Sequence, residues 1–112
     1  MAEQKSNPRR ANGHRRNELL RWLRAQERPC WICRAFGRPG RIDYDIPPGL
    51  PGSFECDELI PVSKGGSPFD RGNVDAAHRA CNEWRGDKSV EQVLAIAKQA
   101  RMRQPRVTSR HW

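Results

Sequence analysis

Residues 54–88 read FECDELIPVSKGGSPFDRGNVDAAHRACNEWRGDK. From Phe54 to Val62 the residues alternate well enough for a strand, closed by Pro61 and by Gly65-Gly66. Asp57 and Glu58 are neighbours on that strand, so on a regular strand their side chains face opposite ways. From Asn73 to Trp84, Ala77, Ala80, Cys81 and Trp84 recur at helical spacing, which predicts a helix with His78, Cys81 and Asn82 near its start. Carboxylate and amide oxygens are thus interleaved with thiol and imidazole groups.

Working outward, Ser89-Val-Glu-Gln92 matches a capping box and opens a further helix with Val90, Val93, Leu94 and Ala97 on one face. Upstream, Phe36 to Ser53 is rich in Gly and Pro, and Ile42–Asp45 (IDYD) is its one strand-like piece. Before it comes Cys30-Trp-Ile-Cys33. Asn17 can cap a helix running to about Glu27, with Leu19, Leu20 and Leu23 on one face and Pro29 just beyond. Residues 1–16 and 101–112 lack periodicity and read as a basic disordered arm and a basic tail. A folded domain is expected over 17–100.

The 112 residues suffice for one small domain, and with 36% apolar and 30% charged residues its core must be modest. Such chains often need a metal or disulfides to hold their fold. The formal charge of +8 favours an acidic partner, nucleic acid first. Residues 1–30 carry eight Lys/Arg against three acids, whereas residues 40–75 carry seven acids against three bases. Basic ends could hold phosphates and an acidic centre could hold a cation. No apolar run suits a signal peptide or a bilayer span, so a cytoplasmic setting without membrane contact is expected. In that setting four cysteines point to metal rather than to disulfides.

Cys30-x-x-Cys33 and His78-x-x-Cys81 are two ligand pairs at the spacing tetrahedral zinc prefers. Four protein ligands leave no open position, so this site is expected to be structural. A redox Cys-x-x-Cys pair, an incidental Cys30–Cys33 pair and a surface His78 are the competing readings. Cys56 is left over as a small core residue of the strand. Asp57 and Glu58 could supply a metal ligand and a general base between them. With Asn73 and Asn82 they offer the carboxylate and amide oxygens that suit Mg²⁺ or Mn²⁺, water filling the remaining positions.

Cys30-x-x-Cys33, DELIPVSKGG at 57–66, Asn73-Val and HRACNEWRGDK at 78–88 together resemble the HNH endonuclease family, in its zinc-knuckle-bearing, phage-type form. The resemblance implies an α+β fold: a small ββα-metal (His-Me finger) core over about 54–88, a structural zinc knuckle, and flanking helices. It implies that Asp57 and Asn82 hold one catalytic divalent ion, and that Asn73 fastens the loop and orients the base. Cys30, Cys33, His78 and Cys81 match the supporting zinc site, His78 standing where the family usually has Cys. Glu58 falls where the family has its catalytic histidine. Glutamate can accept a proton but is intrinsically the weaker base at neutral pH, and Glu58 could instead serve as a second metal ligand.

The expected activity is metal-dependent hydrolysis of DNA phosphodiester bonds, with Arg79, Arg85 and Lys88 on flanking phosphates. Trp31 and Trp84 are expected in the core. The resemblance further implies phage or mobile-element biology, with terminase or portal proteins as partners in genome packaging. The rival reading is a catalytically decayed, zinc-stabilised module that binds DNA or a nuclease partner.

Overall fold

A computed structural model describes residues 8–103, with side chains from residue 11 onward. The fold is α+β. Helix α1 spans Pro8–Ala25, α2 Trp31–Ala35, strands β1 and β2 Phe54–Glu58 and Val74–His78, α3 Arg79–Arg85 and α4 Val90–Arg103. The strands pair antiparallel, with Cys56 opposite Ala76 and Asp57 opposite Asp75. Among the described residues no helix is long and apolar enough to cross a membrane.

The hairpin is covered on both sides. On one face, Leu19 and Leu23 of α1 bury against Val74, with Trp22, Phe54 and Cys56 around them. On the other, Ala77 packs with Cys30, Ile32, Cys33 and Val93, drawn from the knuckle and α4. Strand alternation therefore sends Phe54 and Cys56 towards α1 and Glu55 and Asp57 towards α3. Burial against α1 pushes the Cys56 thiol pKa up.

Four expectations need correction. Residues 74–78 are a strand, and the helix starts only at Arg79. Ala76 and Ala77 are both fully buried, one towards each face, so their small size suits a hairpin covered on both sides; alanine spacing alone does not distinguish that from a helix. The first strand stops at Glu58 rather than Val62, because Pro61 has no N–H to donate and a 3-10 turn follows over Val62–Lys64. Ile42–Asp45 forms no strand; Asp43 instead accepts from the Asp45 N–H in a local turn. Finally, α1 starts at Pro8 rather than Asn17, so residues 8–16 are helical, and α4 carries on through residues 101–103. Proline is tolerated in a first turn, and Arg-rich helix surfaces show no apolar period to read. The rest of the expected arm and tail lies outside the described residues.

The capping box at α4 is formed as expected. Ser89 Oγ accepts from Gln92 N at 3.0 Å, and Gln92 Oε1 accepts from Ser89 N at 2.8 Å. The β1–β2 loop is clipped by Asn73, whose Oδ1 accepts from Ile60 N at 2.9 Å. Its Nδ2 donates to the carbonyls of Ile60 and Ser67, both at 2.9 Å. Gly66 is held so close that a Cβ there would lie 1.7 Å from Ile60 O and 2.8 Å from Asn73 Nδ2. Gly66→Ala is therefore expected to open the clip and cost about 3 kcal/mol, the upper end for overpacking. Thermal unfolding checks this; a Tm within a degree or two of wild type would show that the loop yields freely.

Candidate functional site

The thiols of Cys30, Cys33 and Cys81 and the imidazole of His78 converge, their ligand atoms all within 4.8 Å of one another. Local geometry explains how. Cys30 caps α2, its Sγ accepting from Cys33 N at 3.5 Å, so both sulfurs lie at one helix start. His78 ends β2 and Cys81 lies in the first turn of α3, so a strand-to-helix junction supplies the other pair. Cys33 Sγ stands 3.5 Å from His78 Nδ1 and 3.7 Å from Cys81 Sγ, and Cys81 Sγ is 3.8 Å from His78 Nδ1.

Zn–S bonds of about 2.3 Å and Zn–N bonds of about 2.0 Å imply tetrahedral edges of roughly 3.5–3.8 Å. The three separations among Cys33, His78 and Cys81 match those edges and Cys30 lies within 4.8 Å of each, so the cluster could hold a metal ion such as zinc. The loop after α2 wraps it: Gly40 O accepts from Cys30 N at 2.7 Å, and Arg41 O lies 2.8 Å from His78 Nε2. A proton on Nε2, donated to that carbonyl, leaves Nδ1 as the ligand. Gly40 has φ +75°, and a Cβ there would meet Cys30 O at 2.9 Å, so only glycine closes the loop without strain. Burial, reinforced by the Cys30 and Cys33 thiols, pushes the Cys81 thiol up to about 12. Without metal this thiol keeps its proton, and metal binding must displace it.

The oxygen-bearing residues sit on the next surface. Asp57 is buried, and its Oδ2 accepts from Trp31 Nε1 at 2.8 Å and Arg85 Nη1 at 2.7 Å. Among the described residues, its Oδ1 has no hydrogen-bond partner. Asn82 does not bond Asp57; its Nδ2 donates to Glu55 Oε1 at 3.0 Å. Glu55 precedes Asp57 by two residues and shares its strand face, a period-2 signal the sequence reading passed over. Asp75, paired opposite Asp57, is a further carboxylate missed, because its placement depends on strand register. Glu58 points to the α1 side, where its carboxylate lies 3.5 Å from Arg16.

The three basic residues expected on phosphates fare differently. Arg85 corrects the reading: it is 2% exposed, so it cannot reach a phosphate. Its guanidinium instead ties α3 to β1, donating to the carbonyls of Glu58, Leu59 and Lys88 as well as to Asp57. Arg79 pairs with Glu55 at 2.9 Å and Glu83 at 3.2 Å. Lys88 donates to Trp84 O and lies 4.6 Å over the Trp84 ring. Trp84 itself is 41% exposed rather than core, its ring edge against Phe36. Trp31 is half-buried against the apolar core of Ile32, Ala77 and Val93.

No protein-family model, curated protein or solved structure matches this chain.

Proposed function

We propose that the chain is a metal-dependent nuclease of the ββα-metal type, hydrolysing DNA phosphodiester bonds. One observation carries this reading. Asn82, one residue after the sulfur cluster, meets the carboxylate face of β1 through Glu55, two residues from Asp57. The Asn73 clip across the connecting loop, and a net charge of +8, support it.

Asp57 Oδ1 and the Asn82 side-chain oxygen would hold Mg²⁺ or Mn²⁺; neither oxygen has a hydrogen-bond partner among the described residues. A divalent ion held there would supply charge neutralisation at the scissile phosphate and the departing 3′ oxygen. Arg85 holds the Asp57 carboxylate in place through its 2.7 Å contact to Oδ2. Glu58, which closes β1 on the side opposite Asp57, would take a proton from attacking water at the strand end, with Arg16 holding its carboxylate from the α1 side.

The Arg85 guanidinium on Asp57 also favours a second reading. A cation is already present there, so the carboxylates could be residual in a zinc-stabilised, non-catalytic DNA-binding module. A plasmid-nicking assay on zinc-loaded protein separates the two. Nicking is expected with added Mg²⁺ or Mn²⁺ and not without them. Glu58→Gln should lose roughly 100-fold in rate, and Glu58→His should retain or exceed the wild-type rate. Absence of nicking by wild type under both metals would leave the binding module.

A further inference from the structure

The strongest unassigned feature is a set of arginines on and around α1 that lie over aromatic rings. Arg15 lies 4.0 Å above the Phe69 ring. Arg71 and Arg28 lie 4.6 and 5.2 Å from the Trp22 ring. Between α1 and the loop is a shallow depression of about 170 Å³ lined by Arg15, Glu18, Leu19, Phe69 and Arg71. Arg15 and Arg71 are exposed and, among the described residues, have no ion-pair partner. Of the nearby acids, Glu18 is engaged by His14 at 3.5 Å, and Asp70 accepts from Gly72 N at 2.8 Å. Arg28 is shared with Asp75.

We propose that this face, centred on Arg15 and Arg71, docks on the phosphate backbone of duplex nucleic acid. A guanidinium stacked on a ring uses its flat face and keeps its N–H donors in plane for phosphate oxygens. The ring also holds it in place, so less side-chain entropy is lost on binding. Arginine occupies the Trp22 and Phe69 ring faces, so the surface suits backbone contact rather than base stacking. It adjoins the proposed proton acceptor: Arg16, the next residue, donates to Pro68 O at 2.9 Å and approaches Glu58. The inference rests on nucleic acid being the partner and adds where it is held.

The test is fluorescence anisotropy with a short labelled DNA duplex and zinc-loaded protein, without added divalent ion, across a salt series. Arg15→Gln/Arg71→Gln should weaken binding about tenfold and flatten the log K against log salt slope by about two units. Arg15→Lys/Arg71→Lys should keep most of the salt slope. The charge-matched control Lys98→Gln/Arg103→Gln, exposed on α4, should change affinity less than about twofold. Equal losses in both Gln pairs would reduce the effect to net charge and overturn the proposal, as would wild type preferring anionic vesicles to duplex. Zinc content and circular dichroism confirm that each variant is folded. A protein that nicks DNA while the Arg15/Arg71 pair binds normally removes this surface and keeps the nuclease. Weakened binding in a protein that never nicks does the reverse.

Discussion

Cys33→Ser is expected to leave the chain without its metal and without a cooperative fold. Cys33 sits within 3.7 Å of two other ligand atoms and is 9% exposed, so a serine hydroxyl there neither matches the thiolate nor reaches water freely. Structural zinc in small domains contributes on the order of 10–16 kcal/mol, comparable with the roughly 5–15 kcal/mol by which whole domains are stable. The apolar cluster beside it buries only Cys30, Ile32, Cys33, Ala77 and Val93, with Trp31, Phe36 and Ile42 half-buried at its edge, a small core on which to hold α2, α3 and α4 together. Elemental analysis should find about one equivalent of zinc in wild type and little in the variant, whose thermal transition should broaden or vanish. The same chemistry sets a pH dependence. The Cys81 thiol, held near 12 without metal, must lose its proton on binding, so zinc affinity rises with pH and falls on acidification. A metal-free wild type with a sharp transition would end this part of the account.

Arg85→Ala should be the most damaging single change away from the cysteines. It removes the guanidinium from a buried carboxylate and leaves the Glu58, Leu59 and Lys88 carbonyls short of a donor. Removing one partner of a buried ion pair costs about 3–5 kcal/mol, because the remaining charge stays buried and unpaired. Arg85→Lys should recover little, since a single ammonium cannot reproduce the planar fork that reaches both Asp57 and the Leu59 carbonyl. Denaturant unfolding of zinc-loaded variants measures this. A loss below about 1 kcal/mol for Arg85→Ala would mean that the pair is solvated and the α3–β1 tie weak.

The sequence was most informative where chemistry and spacing are local. The Cys-x-x-Cys and His-x-x-Cys pairs each lie within one turn, and the Ser89–Gln92 box is a four-residue motif, so both were legible and both are formed. The family resemblance implies that Asn73 fastens its loop, and three hydrogen bonds made by its side chain hold that loop. What was misread depended on tertiary context. Val74–His78 carries two alanines that suit either a helix or a doubly covered strand, and only the facing strand decides. Arg85 looked like one of several surface cations because nothing local reports that α3 turns it inward onto Asp57. Asp75 becomes relevant only when the strand register sets it opposite Asp57, whereas Glu55 shares the Asp57 face by strand alternation alone.

The most direct measurement concerns the oxygen-bearing surface, since the nuclease reading requires a second cation there. Mn²⁺ binding to zinc-loaded protein, followed by electron paramagnetic resonance, should reveal one additional site in wild type. Asn82→Ala, a half-buried position whose loss leaves no buried charge, should abolish that site while zinc stays bound. Wild type that takes up no Mn²⁺, or Asn82→Ala that binds it as well as wild type, would contradict the account.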